Sequence, residues 1–345
     1  MATIDADCHV IETERTWEYM EGSDRRFMPR SVHSSDPSLA DAEREHWLID
    51  GRLHNRRGNI GKDTSEASRE MADIDARLRH MDELEVDVQV LYPTVFLDPI
   101  TDRVDADLAI SRSYNCWLSD ICSRSRGRLR WVAVLPLLTI NKAIAELETA
   151  RQHGACGVFM RYMEADRLLT DPYFYPLYEA AEAQNVPICI HASSGSFTTQ
   201  GTFLRAGGLP LFKLGVIGAF HSLAISEVPD RFPGLKFAFI EVSSQWIPHV
   251  VHDLAARFAK GMNKQSADGL LARKRFYVAC QTDDDLPYVL TYAGEDNLVI
   301  GSDYGHADTA SEIAALRNLQ ENSAAGAQAI NKILTDNPAQ LYGIS

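Results

Sequence analysis

Short apolar runs alternate with longer amphipathic stretches along most of the chain. Residues 3–9, 88–93, 131–136, 157–161, 187–191, 235–241, 276–281 and 298–303 are apolar runs, most of them rich in β-branched or aromatic side chains. Runs apolar on both faces are expected of strands covered by helices on each side. Between them the period changes. Met71, Ile74, Leu78, Met81 and Leu84 recur every three or four residues, with Asp73, Arg77, Arg79 and Asp82 on the opposite face. That spacing predicts a helix. Similar stripes predict helices over residues 105–124, 140–153, 173–185, 247–260 and 309–320, and a closing helix over 325–342. Eight strands in this alternation predict one α/β domain over residues 1–345, a (β/α)8 TIM barrel rather than an open doubly wound sheet.

Two stretches interrupt the repeat. Residues 12–68 are polar and turn-rich, with signals at Asp36-Pro37 and Arg57-Gly58 and a small apolar knot at 47–53. They read as an insertion after the first strand, lying over the C-terminal mouth of the barrel. Residues 193–210, rich in Ser, Thr and Gly, follow the fifth strand and should border the same mouth. Long loops of this kind usually carry function or remain disordered. Trp17, Trp47, Phe197 and Phe203 in these segments suggest an apolar or aromatic portion in the substrate.

Composition narrows the function classes. The 345 residues carry 48 acidic against 34 basic side chains, a formal net charge of −14. That deficit of Lys and Arg argues against nucleic acid as a partner. No apolar run approaches the roughly 18 residues of a membrane span, and no signal peptide opens the chain. The six cysteines form no CxxC pair, as expected of reduced thiols in a cytoplasmic enzyme. The expected partners are a small-molecule substrate and, at most, further copies of the chain.

The chemistry lies at the strand ends. A barrel brings the C-terminal ends of its strands to one place, however far apart they are in sequence. Strand one ends DADCH, with Asp7 and His9 two residues apart and so on one face. Strand five ends at His191, strand six at Glu241 and strand eight at Asp303. Imidazole and carboxylate groups together suit Zn, Fe or Mn. No GxGxxG or GxxxxGK[ST] follows any strand, so the common phosphate-binding loops are absent. Asp283-Asp284-Asp285 resembles a metal motif, but it precedes a helix, whose dipole alone explains a negative cluster.

The order and spacing of DADCHVIE, DVQVLYPT, ICIHAS, VPDRFPGLKFAFIEVSSQWIP, GSDYGHAD and KILTDNPAQLYGI resemble the amidohydrolase superfamily. The resemblance is to the branch containing aminocarboxymuconate-semialdehyde decarboxylase and the resorcylate-type decarboxylases. It implies a divalent metal held by Asp7, His9, His191 and Asp303, with Asp303 also moving a proton. Three departures stand out. The first-strand pair is Asp-x-His, Glu241 replaces the histidine that the decarboxylases carry after strand six, and strand four offers Arg161 but no bridging lysine. A second metal would draw on Glu12, His221 and Glu241. His221 is either near the substrate, as the resemblance implies, or a helix histidine hydrogen-bonded to a neighbouring backbone group. Arg161 either binds a substrate carboxylate or pairs with a nearby acid, and His306 and Asp308, which follow Asp303 in the same loop, are candidates to orient a metal-bound histidine. Asp303, Glu241 and His221 are the catalytic candidates; Arg161 and His306 are the substrate-binding ones.

These parts predict a metal-dependent hydrolase using an ion-activated water, with Asp303 as base. Non-oxidative decarboxylation is the second reading. A third joins Glu12, His221 and Glu241 to the other four residues, giving three histidines and four carboxylates, a set suited to a di-iron oxygenase.

Overall fold

A computed structural model describes residues 2–36, 38, 40, 44–56, 59–203, 207–261 and 266–344. Pro37, Arg57 and Gly58, where turn signals occur, lie outside the described residues. The apolar runs become an eight-stranded parallel sheet. Its strands are β1 (Ile4–His9), β2 (Val88–Tyr92), β3 (Leu129–Val134), β4 (Ala155–Arg161), β5 (Ile188–His191), β6 (Phe237–Ile240), β7 (Phe276–Cys280) and β8 (Leu298–Ile300), adjacent in that order. Helices cover the outside: α1 (Ile74–Glu83), α2 (Val104–Ser123), α3 (Ile140–Gln152), α4 (Tyr175–Ala183), α5 (Leu214–Ile225), α6 (Ile247–Lys260), α7 (Leu286–Ala293) and α8 (Ala315–Asn322). This is the (β/α)8 barrel that the alternation predicts.

The strands end level with one another. His9 pairs with Tyr92, Arg161 with His191, and His191 with Ile240. Past Ile300 the chain still runs beside β1: Asp303 N donates to Asp7 O at 3.0 Å and His9 N to Tyr304 O at 2.8 Å. These bonds close the barrel. Gly301 permits the approach, because a β-carbon there would sit 2.2 Å from the Asp7 Cβ.

Helix boundaries differ from the expectation where caps intervene. Met71 has φ +55°, and α1 starts only after Asp73, whose carboxylate accepts from Ala76 N at 3.1 Å. The last helix before the tail begins at Ala315 rather than 309, because residues 303–311 form the loop that carries the site. The tail is three short helices, Ala327–Asn331, Lys332–Asp336 and Asn337–Tyr342, with the middle one in the wider π form. Tyr342 Oη donates to Ala6 O at 2.9 Å and so anchors this tail on β1.

The insertion forms an antiparallel sheet of Arg30–His33, Glu45–Ile49 and Arg52–Asn55. Trp47 packs edge-on against Trp17 with ring centres 6.0 Å apart, and both are fully buried. They build the core of the insertion rather than a substrate surface, while Leu53 from the same knot points to solvent. The insertion is stitched to the loop after β8 by Gly61 N to Gly305 O at 2.9 Å and Ala307 N to Asn59 O at 3.1 Å. All six thiols are free. Among the described residues no helix is long and apolar enough to cross a membrane.

Candidate metal centre

Asp7, His9, His191 and Asp303 meet at the strand ends, each buried to 2% exposure or less. The tautomers follow from hydrogen bonding. His9 Nδ1 lies 2.9 Å from Pro93 O, and His191 Nδ1 lies 2.9 Å from Ala192 O. A carbonyl only accepts, so each Nδ1 carries the proton and each Nε2 keeps its lone pair. Both lone pairs then face carboxylates. His9 Nε2 is 3.6 Å from Asp7 Oδ1 and 3.3 Å from Asp303 Oδ1, and His191 Nε2 is 3.2 Å from Asp7 Oδ1. Protonating His9 does not resolve this, because burial, then the neighbouring His306 and His191, push its pKa well below the ordinary value. Buried acceptors turned toward one another need a cation between them. His9 Nε2 and Asp303 Oδ1 are also buried without a hydrogen-bond partner. The donor set therefore fits a divalent ion of the Zn, Fe or Mn type.

Asp303 stands in the left-handed backbone region at φ +52°. Its Oδ2 accepts from Ser311 Oγ at 2.5 Å, which leaves Oδ1 turned toward the histidines. Burial raises its pKa to about 6, against the lowering effect of His306. His306, a candidate to bind substrate or to orient a metal-bound histidine, lies against His9 and Asp303 and also lines a cavity of about 280 Å³ beside Ser311. Its ring stacks on His9 at 3.8 Å, with Nε2 at 2.9 Å from Thr94 Oγ1 and Nδ1 at 2.9 Å from Asp303 Oδ1. Burial opposes charge on His306, but the Asp303 carboxylate outweighs it and lifts the pKa.

Glu241 directly follows β6, also left-handed at φ +62°. Its Oε2 lies 3.3 Å from His191 Nδ1, the nitrogen on the far side from the ligand cluster. Burial, then Asp303, Asp308 and Asp7, push its carboxyl well above the ordinary range. The turn is fixed by Asp284, the middle residue of the acidic triplet. Asp284 accepts from Ser243 Oγ at 2.5 Å, Ser244 N and Oγ at 2.7 Å, and Gln281 N at 2.9 Å. The helix dipole explains only the next residue, Asp285, which caps α7 by accepting from Tyr288 N at 3.2 Å.

The structure does not bring the other expected residues to the cluster. Glu12 is buried, but its two oxygens accept from Thr94 N at 3.0 Å and Val95 N at 3.1 Å, where it pins the loop after β2. Burial raises its pKa to about 7. His221 on α5 lies 3.0 Å from Asp253 Oδ2 on α6, a side-chain partner rather than the backbone one expected of a helix histidine, and it is in none of the donor groups among the described residues. The set of three histidines and four carboxylates is therefore not assembled. Arg161 pairs with Glu164 and donates to Phe96 O at 3.0 Å and Asp98 O at 3.3 Å, so its guanidinium is already engaged.

A cavity of about 320 Å³ adjoins the ends of β3 and β4 and is lined by Phe96, Leu135, Phe159, Arg161 and Phe197. Phe159 links it to the cluster, with its ring centre 6.2 Å from that of His191. A larger cavity, about 730 Å³, lies between α1 and α2 and contains none of the strand-end residues.

Solved structures share this architecture. An amidohydrolase from Mycobacterium avium subsp. paratuberculosis K-10 superposes with a TM-score of 0.77 at 19% identity, over 100% of this chain and 98% of that one. The 5-carboxyvanillate decarboxylase LigW of Sphingomonas paucimobilis gives 0.65 at 20% identity, over 78% and 82%. The 5-carboxyvanillate decarboxylase LigW2 of Novosphingobium aromaticivorans, solved with bound manganese, gives 0.66 at 18%, over 79% and 82%. At these identities the likeness shows the fold. The sequence profile of the amidohydrolase family matches residues 4–344 and goes further: this chain belongs to the amidohydrolase family.

Proposed function

We propose that the protein is a metal-dependent hydrolase acting on a small, uncharged substrate with an apolar or aromatic part. The observation that carries this reading is the set of buried acceptors that face one another, His9 Nε2 and His191 Nε2 against Asp7 Oδ1 and Asp303 Oδ1. A divalent ion bound there would polarise a carbonyl oxygen and draw the pKa of water down from about 16 toward about 7. Asp303 is the base. One of its oxygens is held by Ser311, the other faces His9 and His306, and its pKa near 6 suits accepting a proton at neutral pH. The apolar part of the substrate would occupy the cavity beside Phe96, Phe159 and Phe197.

The charge around the site separates hydrolysis from decarboxylation. A decarboxylase must admit a carboxylate. Here the entering group would meet Asp7, Glu241, Asp303 and Asp308, while the guanidinium of Arg161 is tied to Glu164. Like charges at such distances repel strongly in a partly buried site. Non-oxidative decarboxylation remains the second reading because two of the solved relatives are named carboxyvanillate decarboxylases.

The test compares the manganese- or zinc-loaded protein on aryl esters, lactones and amides with its action on the matching hydroxybenzoates. Acid release is followed by pH-stat and carbon dioxide by trapping. Hydrolysis of the uncharged probes, lost in His191→Ala, is the expected result. Carbon dioxide release without hydrolysis would sink the proposal.

A further inference from the structure

The cavity beside Phe96, Phe159 and Phe197 has apolar walls set with a few charged groups, most of which have partners of their own. Arg52 Nη2 donates to Asp102 Oδ2 at 2.8 Å, and Arg161 pairs with Glu164. Asp166 accepts from the Ser196 hydroxyl and from Thr198 Oγ1 at 3.0 Å. Asp107 is different. It lines the same cavity from the first turn of α2, and its Oδ2 accepts from Leu138 N at 3.1 Å. Its Oδ1 has no hydrogen-bond or ion-pair partner among the described residues.

Two ordinary roles account for part of this placement. The Leu138 bond ties α2 to the loop that follows β3, and a carboxylate in the first turn suits the helix dipole. Asp105, exposed in the same turn, serves the dipole equally well without burial. Neither role uses Oδ1. Burial raises the Asp107 pKa to about 7, against the lowering effects of the Leu138 amide and Arg161. An acceptor oxygen left open in an apolar wall gains from a donor that enters with the ligand. What is missing is a donor rather than a charge, because the Arg161 guanidinium already acts on the Asp107 carboxylate and Oδ1 still has no bond.

We infer that Asp107 sets substrate specificity: its Oδ1 accepts a hydrogen bond from a neutral O–H or N–H, such as a phenolic hydroxyl, at the end of the substrate remote from the reacting bond. The inference rests on the hydrolase reading for the bond that is broken, and adds the group that the substrate carries. Phe159 joins the two regions, since it lines the cavity with Asp107 and its ring centre is 6.2 Å from that of His191. A volume of about 320 Å³ lies at the small end of ligand sites, which span about 300–1,000 Å³, and so fits one ring with short substituents.

The experiment compares methyl 4-hydroxybenzoate with methyl 4-methoxybenzoate as substrates of the manganese-loaded protein, followed by pH-stat. In wild type kcat/KM should favour the hydroxyl by about 10- to 100-fold, the worth of one hydrogen bond to a carboxylate. Asp107→Ala should abolish the preference. In Asp107→Asn the amide oxygen must still receive Leu138 N, which turns the NH2 toward the cavity and should favour the methoxy ester. Melting temperatures confirm that both variants are folded, and a purely structural Asp107 would slow both esters alike, leaving their ratio unchanged. Binding of the unreactive ketones 4-hydroxyacetophenone and 4-methoxyacetophenone, read by titration calorimetry, separates this inference from the hydrolase reading. A hydroxyl preference in binding, lost in Asp107→Ala, supports the role of Asp107 even where neither ester is cleaved. Cleavage of both esters at equal kcat/KM overturns that role and leaves hydrolysis standing. Equal binding of the two ketones by wild type, or binding of neither, overturns it as well.

Discussion

Substituting Gly301 with alanine tests the link between barrel closure and the metal centre. The new methyl group would lie 2.2 Å from Asp7 Cβ and 3.0 Å from Asp7 Cα. Carbon atoms pack at about 3.5–4.0 Å, so β1 and β8 must part by more than about 1 Å. Two bonds bracket this point, Asp303 N to Asp7 O and His9 N to Tyr304 O, and the separation strains both. Overpacking costs roughly 1–3 kcal/mol. Losing two backbone bonds adds about 1 kcal/mol each. The total, about 3–5 kcal/mol, corresponds to a fall in Tm of roughly 4–8 °C for a chain this long. The functional effect should be larger in proportion, because Asp7 and Asp303 would hold the proposed ion from the two segments that separate. Metal affinity should fall at least about tenfold, the lower end for disturbed ligand geometry. Calorimetric melting and Mn²⁺ titration measure both effects. Gly218→Ala, in α5 with nothing within 4 Å of the added methyl, is the control and should be neutral or slightly stabilising. If Gly301→Ala melts within about 1 °C of wild type and binds Mn²⁺ equally well, the close approach is not what positions Asp7.

Three further outcomes are expected. Glu12 has a folded pKa near 7 against 4.5 when exposed, so the native state holds its proton more tightly. Its stabilisation is complete below about pH 4.5 and is lost as pH rises toward 7, about 3 kcal/mol in all. Chemical denaturation should therefore show a steeper loss of stability over this interval in wild type than in Glu12→Gln, and equal slopes would contradict the burial argument. Asp284→Ala removes the acceptor for two backbone amides and two hydroxyls and should cost about 3 kcal/mol and most of the turnover, while exposed Asp283→Ala should change neither. His221→Ala should retain metal content and turnover within about twofold, and a large loss of either would restore it to the site.

The barrel was legible because its strands are apolar on both faces, a pattern that only a sheet covered by helices satisfies. Strand-end residues were legible for the same reason: Asp7, His9, His191 and Asp303 are polar side chains that terminate apolar runs, and the topology makes them converge. His221 could have been placed correctly from its helix alone. Val216, Phe220 and Leu223 are buried on one stripe of α5, and His221 is turned about 100° from Phe220, off that stripe. Glu12 had no such signal, because its partners, the amides of residues 94 and 95, are distant in sequence and carry no side-chain signature. Trp17 and Trp47 read as substrate-facing aromatics in a polar segment, whereas they bury one another across 30 residues of insertion. Asp284 was hidden by the aspartates on either side: three identical letters gave no hint that the middle one turns inward to fix the Glu241 turn.

Because the segment after β8 runs beside β1, the proposed ligands of one ion, Asp7 and Asp303, lie far apart in sequence. During synthesis Asp7 and His9 emerge long before Asp303. A nascent or truncated chain that stops short of β8 carries histidine ligands but lacks the strand that completes their cage. In the proposed centre, ion capture would be coupled to closure of the barrel, and a loaded centre would report that the ring of strands has closed.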